Sequence, residues 1–274
     1  TLAHPILLAP IAFQRLAHPD GELAMAYAAA ALGAGVVLST QASVSLEAVA
    51  QAVLPDRGRG PLWFQLYLQH DRGFTQALVQ RAEAAGYEAL VLTVDAPTSG
   101  VRDRERRAGF RLPPGVGPVN LAGLQAPAAA ELRPGQSALF DGLLHQAPTW
   151  DDIAWLQSIT RLPVLLKGVL HPADARLAVS VGAAGLIVSN HGGRTLDTAP
   201  ATASALLRVV QAVGGAVPVV VAGGIRRGTD ILNSLLADPE VDFDIARIAQ
   251  RIGLAQSRLA RVDAAFQRAL NKIE

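Results

Sequence analysis

Ser189-Asn190-His191-Gly192-Gly193-Arg194 sets an imidazole close to a guanidinium, directly after the apolar run Gly185-Leu186-Ile187-Val188. An imidazole titrates near neutral pH and suits general base work. A guanidinium grips a carboxylate with two parallel hydrogen bonds. The two glycines let a ligand approach the backbone closely. Together these residue types suit proton removal from an anionic substrate. A buried strand that ends in such a motif is where barrel enzymes place their sites. The plainer readings, a hydrogen-bonded core histidine and a solvated arginine, stay open for either residue taken alone.

Something must position these side chains, and the rest of the chain supplies a repeating pattern. Apolar runs recur at Ile6 to Pro10, Gly35 to Ser39, Leu62 to Leu68, Ala89 to Asp95, Pro163 to Val169, Gly185 to His191 and Pro218 to Gly224. Several are near-continuous in Val, Leu and Ile, as expected of parallel strands buried on both faces. Helical patterns such as Gly21 to Leu32, Gly73 to Ala85, Trp150 to Thr160 and Ala173 to Val181 lie between them. The alternation predicts an α/β fold, a TIM-type (β/α) barrel first and a doubly wound open sheet second. One connection, from Ala96 to Thr149, is rich in Pro, Gly and Arg without clear period. A loop this long is a functional lid or a disordered segment. A helix is expected to restart at Trp150, capped by Thr149 or Asp151.

The strand ends carry unusual chemistry. Gln65, Tyr67, Thr93, Asp95 and Lys167 all fall at or near the ends of apolar runs. A buried ammonium such as Lys167 is costly without an anion or polar partner; a structural ion pair is the plainer reading. Asp95 either caps a loop or orients a histidine. Gly223-Gly224-Ile225-Arg226-Arg227-Gly228-Thr229 opens a helix and reads as a phosphate cradle, a weak signal alone and a stronger one at a late barrel strand.

Composition bounds the alternatives. The chain has 274 residues, half of them hydrophobic, and a net charge of +1, which gives no global pull toward nucleic acid or an anionic membrane. It has no cysteine, which excludes disulfides, zinc thiolate sites and cysteine nucleophiles and fits a cytoplasmic protein. No apolar run reaches the ~18 residues of a membrane span. Thr1 to Pro5 lack the basic start of a signal peptide, and the start is abrupt, as though a preceding segment were missing.

The pieces in order resemble the FMN-dependent 2-hydroxy acid oxidase and dehydrogenase family, which includes glycolate oxidase, lactate oxidase and mandelate dehydrogenase. The resemblance rests on Ala9 to Pro19, Gln65-Leu66-Tyr67, Leu92 to Pro97, Leu166-Lys167-Gly168, the His191 motif and Gly223 to Asp230. It implies FMN as cofactor and His191 as base, with Asp95 pairing with it and Tyr67 bonding the substrate. Arg194 and Arg102 would grip the substrate carboxylate. Lys167 would stand at the N1/O2 edge of the flavin. Ser39, Gln65, Thr93 and Ser189 would contact the ring or ribityl chain, Pro10, Ile11 and Ala12 would pass along the ring, and Gly223, Gly224 and Arg226 would hold the phosphate. The implied reaction takes an (S)-2-hydroxy acid to the 2-oxo acid, with oxygen or another acceptor reoxidising the flavin. By the same resemblance the protein is expected to form a tetramer-like homo-oligomer, and its lack of overall basicity predicts no nucleic-acid partner.

The chain departs from the family pattern in three places. A segment with a substrate-contacting tyrosine is expected before Ile6 and is absent. Ala222 stands where an aspartate bonds the ribityl chain, a loss of ~1–3 kcal/mol if a buried hydroxyl goes unpaired. The eighth strand should follow Asp230, yet Ile231 to Glu274 reads as helix, so residues 1–230 are expected to form the barrel and 231–274 a helical tail packed on it. Seven strands do not close an eight-strand barrel. Three solutions are open: Val241-Asp242-Phe243 improvises a strand, the tail plugs the gap, or a stretch is missing. Ala249, Gly253 and Leu259, with Arg258 and Arg261, also fit a helix-turn-helix, for which an amphipathic hairpin is the plainer reading. The competing functions are therefore a barrel remnant that binds without catalysis and a DNA-binding regulator.

Overall fold

A computed structural model describes residues 4–97, 100, 102–126, 137 and 147–236. All seven expected strands form, each shorter than its apolar run: β1 (Leu7–Leu8), β2 (Gly35–Leu38), β3 (Leu62–Leu66), β4 (Ala89–Thr93), β5 (Val164–Lys167), β6 (Gly185–Val188) and β7 (Val219–Val221). They make one parallel sheet in strict chain order, from β1 to β7, as in a TIM-type barrel. Among the described residues β1 and β7 each pair on one side only. The shortening has a consequence. Tyr67, Asp95, Gly168 and His191 lie just beyond the last paired residues, in loops free to turn toward a ligand.

Crossover helices return the chain between strands. They are α1 (Glu22–Leu32), α2 (Leu46–Val53), α3 (Arg72–Ala85), α5 (Trp150–Ser158), α6 (Pro172–Ser180) and α7 (Thr202–Val213), with α8 (Gly228–Leu236) after β7. The long connection expected to lack period holds a short helix, α4 (Asp103–Arg107), and a turn of 3-10 helix at Val119–Leu121. Helix α5 does restart at Trp150, where the Thr149 backbone N–H donates to the Asp152 carboxylate at 2.7 Å. The strand at 241–243 and the helix-turn-helix at Ala249, Gly253, Arg258, Leu259 and Arg261 lie outside the described residues, as does the tail beyond 236. No helix among the described residues is long and apolar enough to cross a membrane.

Period-two alternation splits each strand between two faces. Leu38, Phe64, Leu66, Leu90, Leu92, Leu166 and Leu186 pack outward under the helices. Val37, Ala89, Val91, Leu165 and Ile187 pack together on the inner face, with Trp63, Val220 and Ala222 against them. Two residues beyond Val37, Trp63, Val91, Leu165 and Ile187 come Ser39, Gln65, Thr93, Lys167 and Ser189. The inner face therefore changes from apolar to polar at one level, at the carboxyl ends of the strands.

The loops at that end are tied by a buried carboxylate. Glu22, the first residue of α1, is fully buried. Its Oε1 accepts from the backbone N–H of Gln14 (3.1 Å) and of Ser43 (2.9 Å), and its Oε2 accepts from the Ser43 hydroxyl (2.7 Å). The loop after β1 is thus fastened to the loop after β2. Glu22→Ala orphans these donors at ~1–3 kcal/mol each. The expected outcome is a loss of about 3 kcal/mol in urea unfolding, and less in Glu22→Gln, which keeps an acceptor. Equal losses in the two variants would count against the network.

Candidate active site

His191 follows β6 with a φ of 54°, in the left-handed region that few non-glycine residues occupy. The turn is held by its own polar groups. Ser189 Oγ accepts from His191 N at 3.1 Å and Asn190 Oδ1 accepts from Gly192 N at 3.1 Å. Gly192 and Gly193 continue at φ 66° and 68°. The turn brings His191 Nδ1 to 2.8 Å from Asp95 Oδ1, across the whole width of β5. A carboxylate only accepts, so Nδ1 carries the hydrogen, and in the neutral ring Nε2 keeps a lone pair. Tyr67 Oη lies 3.4 Å from that Nε2.

Gly168 makes this crossing possible. Its φ is 115°, and a Cβ there would stand 2.5 Å from both Cβ and Cγ of Asp95. No residue with a side chain fits beside the carboxylate. The Asp95 side chain is about one-tenth exposed, and its Oδ2 is buried without a hydrogen-bond partner among the described residues. Burial, reinforced by the Asp95 charge, pushes the Tyr67 hydroxyl up, so it remains a donor well beyond neutral pH.

Tyr67, His191, Arg102 and Arg194 all line one cavity of about 700 Å³, with Leu68 and Ile153 among its apolar walls. Close packing joins its two arginine-bearing loops, because a Cβ on Gly100 would stand 2.0 Å from the Arg194 carbonyl oxygen. The two arginines share a partner that the sequence reading missed. Glu105 of α4 receives Arg102 Nη1 on Oε2 at 3.4 Å and Arg194 Nη2 on Oε1 at 3.2 Å. An acidic residue within an arginine-rich run reads as solvated charge, and no spacing rule singles it out.

The polar inner layer forms a connected set. Gln65 Oε1 accepts from Ser39 Oγ (3.3 Å) and Thr40 N (3.2 Å), and Gln65 Nε2 donates to Thr93 Oγ1 (3.0 Å). Lys167 Nζ donates to Ser189 Oγ at 3.0 Å. Burial pushes the Lys167 ammonium pKa down. Its hydrogen bond is to a neutral hydroxyl, so the remaining donors suit the electron-rich edge of a flavin ring. Pro10, Ile11 and Ala12 lie in the loop after β1, where Phe13 N donates to Gln41 O at 3.1 Å.

The phosphate end is less complete. Gly223 and Gly224 follow β7 at φ 121° and 74°, with nothing within 4 Å of a Cβ on Gly224. The N–H groups of Arg226 and Arg227 donate to the chain's own Asp230 Oδ2, at 2.9 and 2.8 Å. These bonds draw the Asp230 pKa down. Of the expected cradle, Gly223, Gly224 and the Arg226 side chain remain for an anion. Ala222 lies against the apolar inner cluster and offers no acceptor.

Residues 1–237 match the family model described as FMN-dependent dehydrogenase. The chain is 54% identical to an L-lactate oxidase of Roseobacter sp. (strain GAI101) over 85% of its own length and 61% of that protein. It is 47% identical to glycolate oxidase 3 of Arabidopsis thaliana, covering 85% of the chain and 62% of the relative. A solved mandelate oxidase variant with (S)-mandelic acid superposes with a TM-score of 0.73 at 42% identity, over 86% of this chain and 62% of that one. The chain thus spans about six-tenths of the length of these relatives.

The buried Lys167 generates a prediction with a definite sign. Its depressed pKa means that the fold disfavours the ammonium. That cost is present in full below the folded-state pKa and fades as pH rises toward the value of an unfolded lysine. Lys167→Met should stabilise the flavin-free protein by ~1 kcal/mol near neutral pH, with a smaller gain near pH ~10, by urea unfolding at the two pH values. A gain that grows with pH contradicts the assignment.

Proposed function

The chain belongs to the FMN-dependent dehydrogenase family, and from that premise we propose that it oxidises an (S)-2-hydroxy acid to the corresponding 2-oxo acid. The observation that carries the reading is the convergence of His191 Nε2, the Tyr67 hydroxyl and two guanidiniums on one cavity beside the polar inner layer. When bound there, FMN would accept the two electrons that leave the substrate carbon. Lys167, Gln65, Thr93, Ser39 and Ser189 would hold its ring and ribityl chain, with Pro10, Ile11 and Ala12 along one side. Gly223, Gly224 and Arg226 would hold its phosphate.

The chain's own residues account for the rest. Arg102 and Arg194 bind the substrate carboxylate, each offering several N–H donors in a fixed fork. Tyr67 donates its hydroxyl hydrogen to the bound substrate. His191 Nε2 takes a proton from it, either the α-proton or the hydroxyl proton. Asp95, bonded to Nδ1, holds the ring and stabilises the imidazolium that results, as a carboxylate does in other His–Asp pairs. Lactate, glycolate and mandelate are named for the relatives, and a substrate of that kind, with oxygen or another acceptor completing the cycle, is the reading for this chain. The homo-oligomer implied by the resemblance and the tail over the barrel belong to the same proposal.

A second reading draws on Ala222 and on the Asp230 bonds at the phosphate end: a binding protein that turns nothing over. Colour separates the two. A purified protein that is colourless and that added FMN does not turn yellow defeats the enzyme reading. With FMN bound, His191→Ala should slow anaerobic bleaching of the flavin by lactate or mandelate ~10²–10⁴-fold while FMN affinity is kept. Unchanged bleaching removes His191 as base. Arg194→Lys should raise KM about tenfold with a smaller change in kcat, because an ammonium lacks the fork.

A further inference from the structure

We propose that Glu105 is a positioning residue for the substrate, holding Arg102 and Arg194 from behind so that both guanidiniums face the cavity as one carboxylate-binding unit. The proposal rests on the functional reading above and adds a residue to it.

The geometry separates two roles that a carboxylate could have on an arginine pair. It could occupy the substrate's place and compete, or it could brace the pair from the far side. Arg102 and Arg194 line the chamber that holds Tyr67 and His191, and Glu105 does not. Glu105 instead lines a neighbouring, open depression with Arg106 and Phe110, and Arg102 and Gly100 stand between the two. Each of its oxygens engages a different guanidinium, at 3.4 and 3.2 Å. Each arginine therefore gives Glu105 one N–H of its five, and the rest of the fork is left to bind a ligand.

The brace answers a physical need. Two guanidiniums within reach of one carboxylate repel each other, and free rotation of their long side chains would separate them. Arg102 stands at the start of α4, and Arg194 lies in the loop after β6. Glu105 couples the two loops where Gly100 already touches the Arg194 carbonyl. The three side chains are about half exposed, so each ion pair is weak by itself. The effect lies in where the arginines rest before substrate arrives, since side chains already ordered lose less freedom on binding.

The test compares FMN-loaded wild type, Glu105→Gln and Glu105→Ala, with pyruvate binding by calorimetry and lactate oxidation as readouts. Glu105→Ala should weaken pyruvate binding and raise KM by ~3–10-fold with kcat within about twofold, the scale of one or two exposed ion pairs. Glu105→Gln keeps the length and one acceptor oxygen, so it should fall between. Alanine is the best helix former, so Glu105→Ala costs α4 no propensity, and Glu105→Gln removes the same first-turn charge and controls for its effect on the helix. In an Arg194→Ala background the same change should cost less, because one of the two guanidiniums is already gone. Tighter binding in both variants would show that Glu105 competes with substrate, and unchanged binding would show that it is surface charge; either overturns the proposal. A wild type that binds FMN but no pyruvate overturns the functional reading itself, and the role of Glu105 with it.

Discussion

The hydrogen bond between His191 and Asp95 joins two loops that leave non-adjacent strands, and much of the site depends on it. Asp95 follows β4 and His191 follows β6, with β5 between them. The registers that align Thr93 with Lys167, and Lys167 with Ile187, set how far each loop begins from the other. A slip of one residue in either pairing would turn every side chain of a strand to the opposite face. Even in register, the bond needs a gap at the end of β5. Gly168 supplies it by having no side chain where Asp95 passes. The left-handed backbone at His191 is the remaining cost, met by the hydrogen bonds of Ser189 and Asn190 to the turn.

Charge is arranged around this bond with comparable economy. Asp95 is the buried negative group inside the site, and the arginines stand at the cavity wall. Tyr67 lies between them. Asp95 pushes its pKa up and the arginines pull it down, but burial dominates and keeps the hydroxyl protonated. The same residue can therefore donate to a bound anion and stay neutral beside His191. Lys167 adds a buried positive group on the inner layer. The site is thus shaped for two electron-rich partners, an anion at the arginines and a ring edge at the lysine. This is the division of labour that the functional reading requires.

The sequence made much of this legible because strand ends and glycines leave signatures. All seven strands were readable from apolar runs, and His191, Asp95 and Lys167 stood out as polar residues attached to them. What was not legible depends on contacts between distant segments. Glu22 looks like an ordinary acidic residue at a helix start, yet it is fully buried and ties two loops together. Glu105 sits in a run of charges that reads as solvated, and only the fold brings it to Arg194. Gly168 could be read as a strand terminator; its closeness to Asp95 appears only when β4 and β5 are paired. At Gly223 to Asp230 the sequence suggested free backbone N–H groups, and the Asp230 carboxylate takes two of them. A local pattern cannot say which of two acceptors, the chain's own or a ligand's, will claim a donor.

Burial is uneven along the sheet, and the unevenness divides the site. Every residue of β2, β4 to the level of Leu92, β5 and β6 is buried, whereas β1 and β7 at the two ends are only partly so. Tyr67, Asp95, Lys167 and His191 belong to loops and strands of the well-packed middle. Gly223, Gly224 and Arg226, the residues proposed for the phosphate, follow the partly buried β7. Local opening is easiest where few apolar contacts must break. Tyr67, Asp95 and His191 therefore follow the well-packed strands of the sheet, while the residues proposed for the phosphate follow a strand that is only partly buried. Ala222 sharpens the division. It is the inner-layer position on β7's side where the polar level of Ser39, Gln65, Thr93, Lys167 and Ser189 gives way to an apolar contact. The inner layer is polar at Ser39, Gln65, Thr93, Lys167 and Ser189 and apolar at Ala222, so on the functional reading the hydrogen bonds to a flavin come from the middle strands.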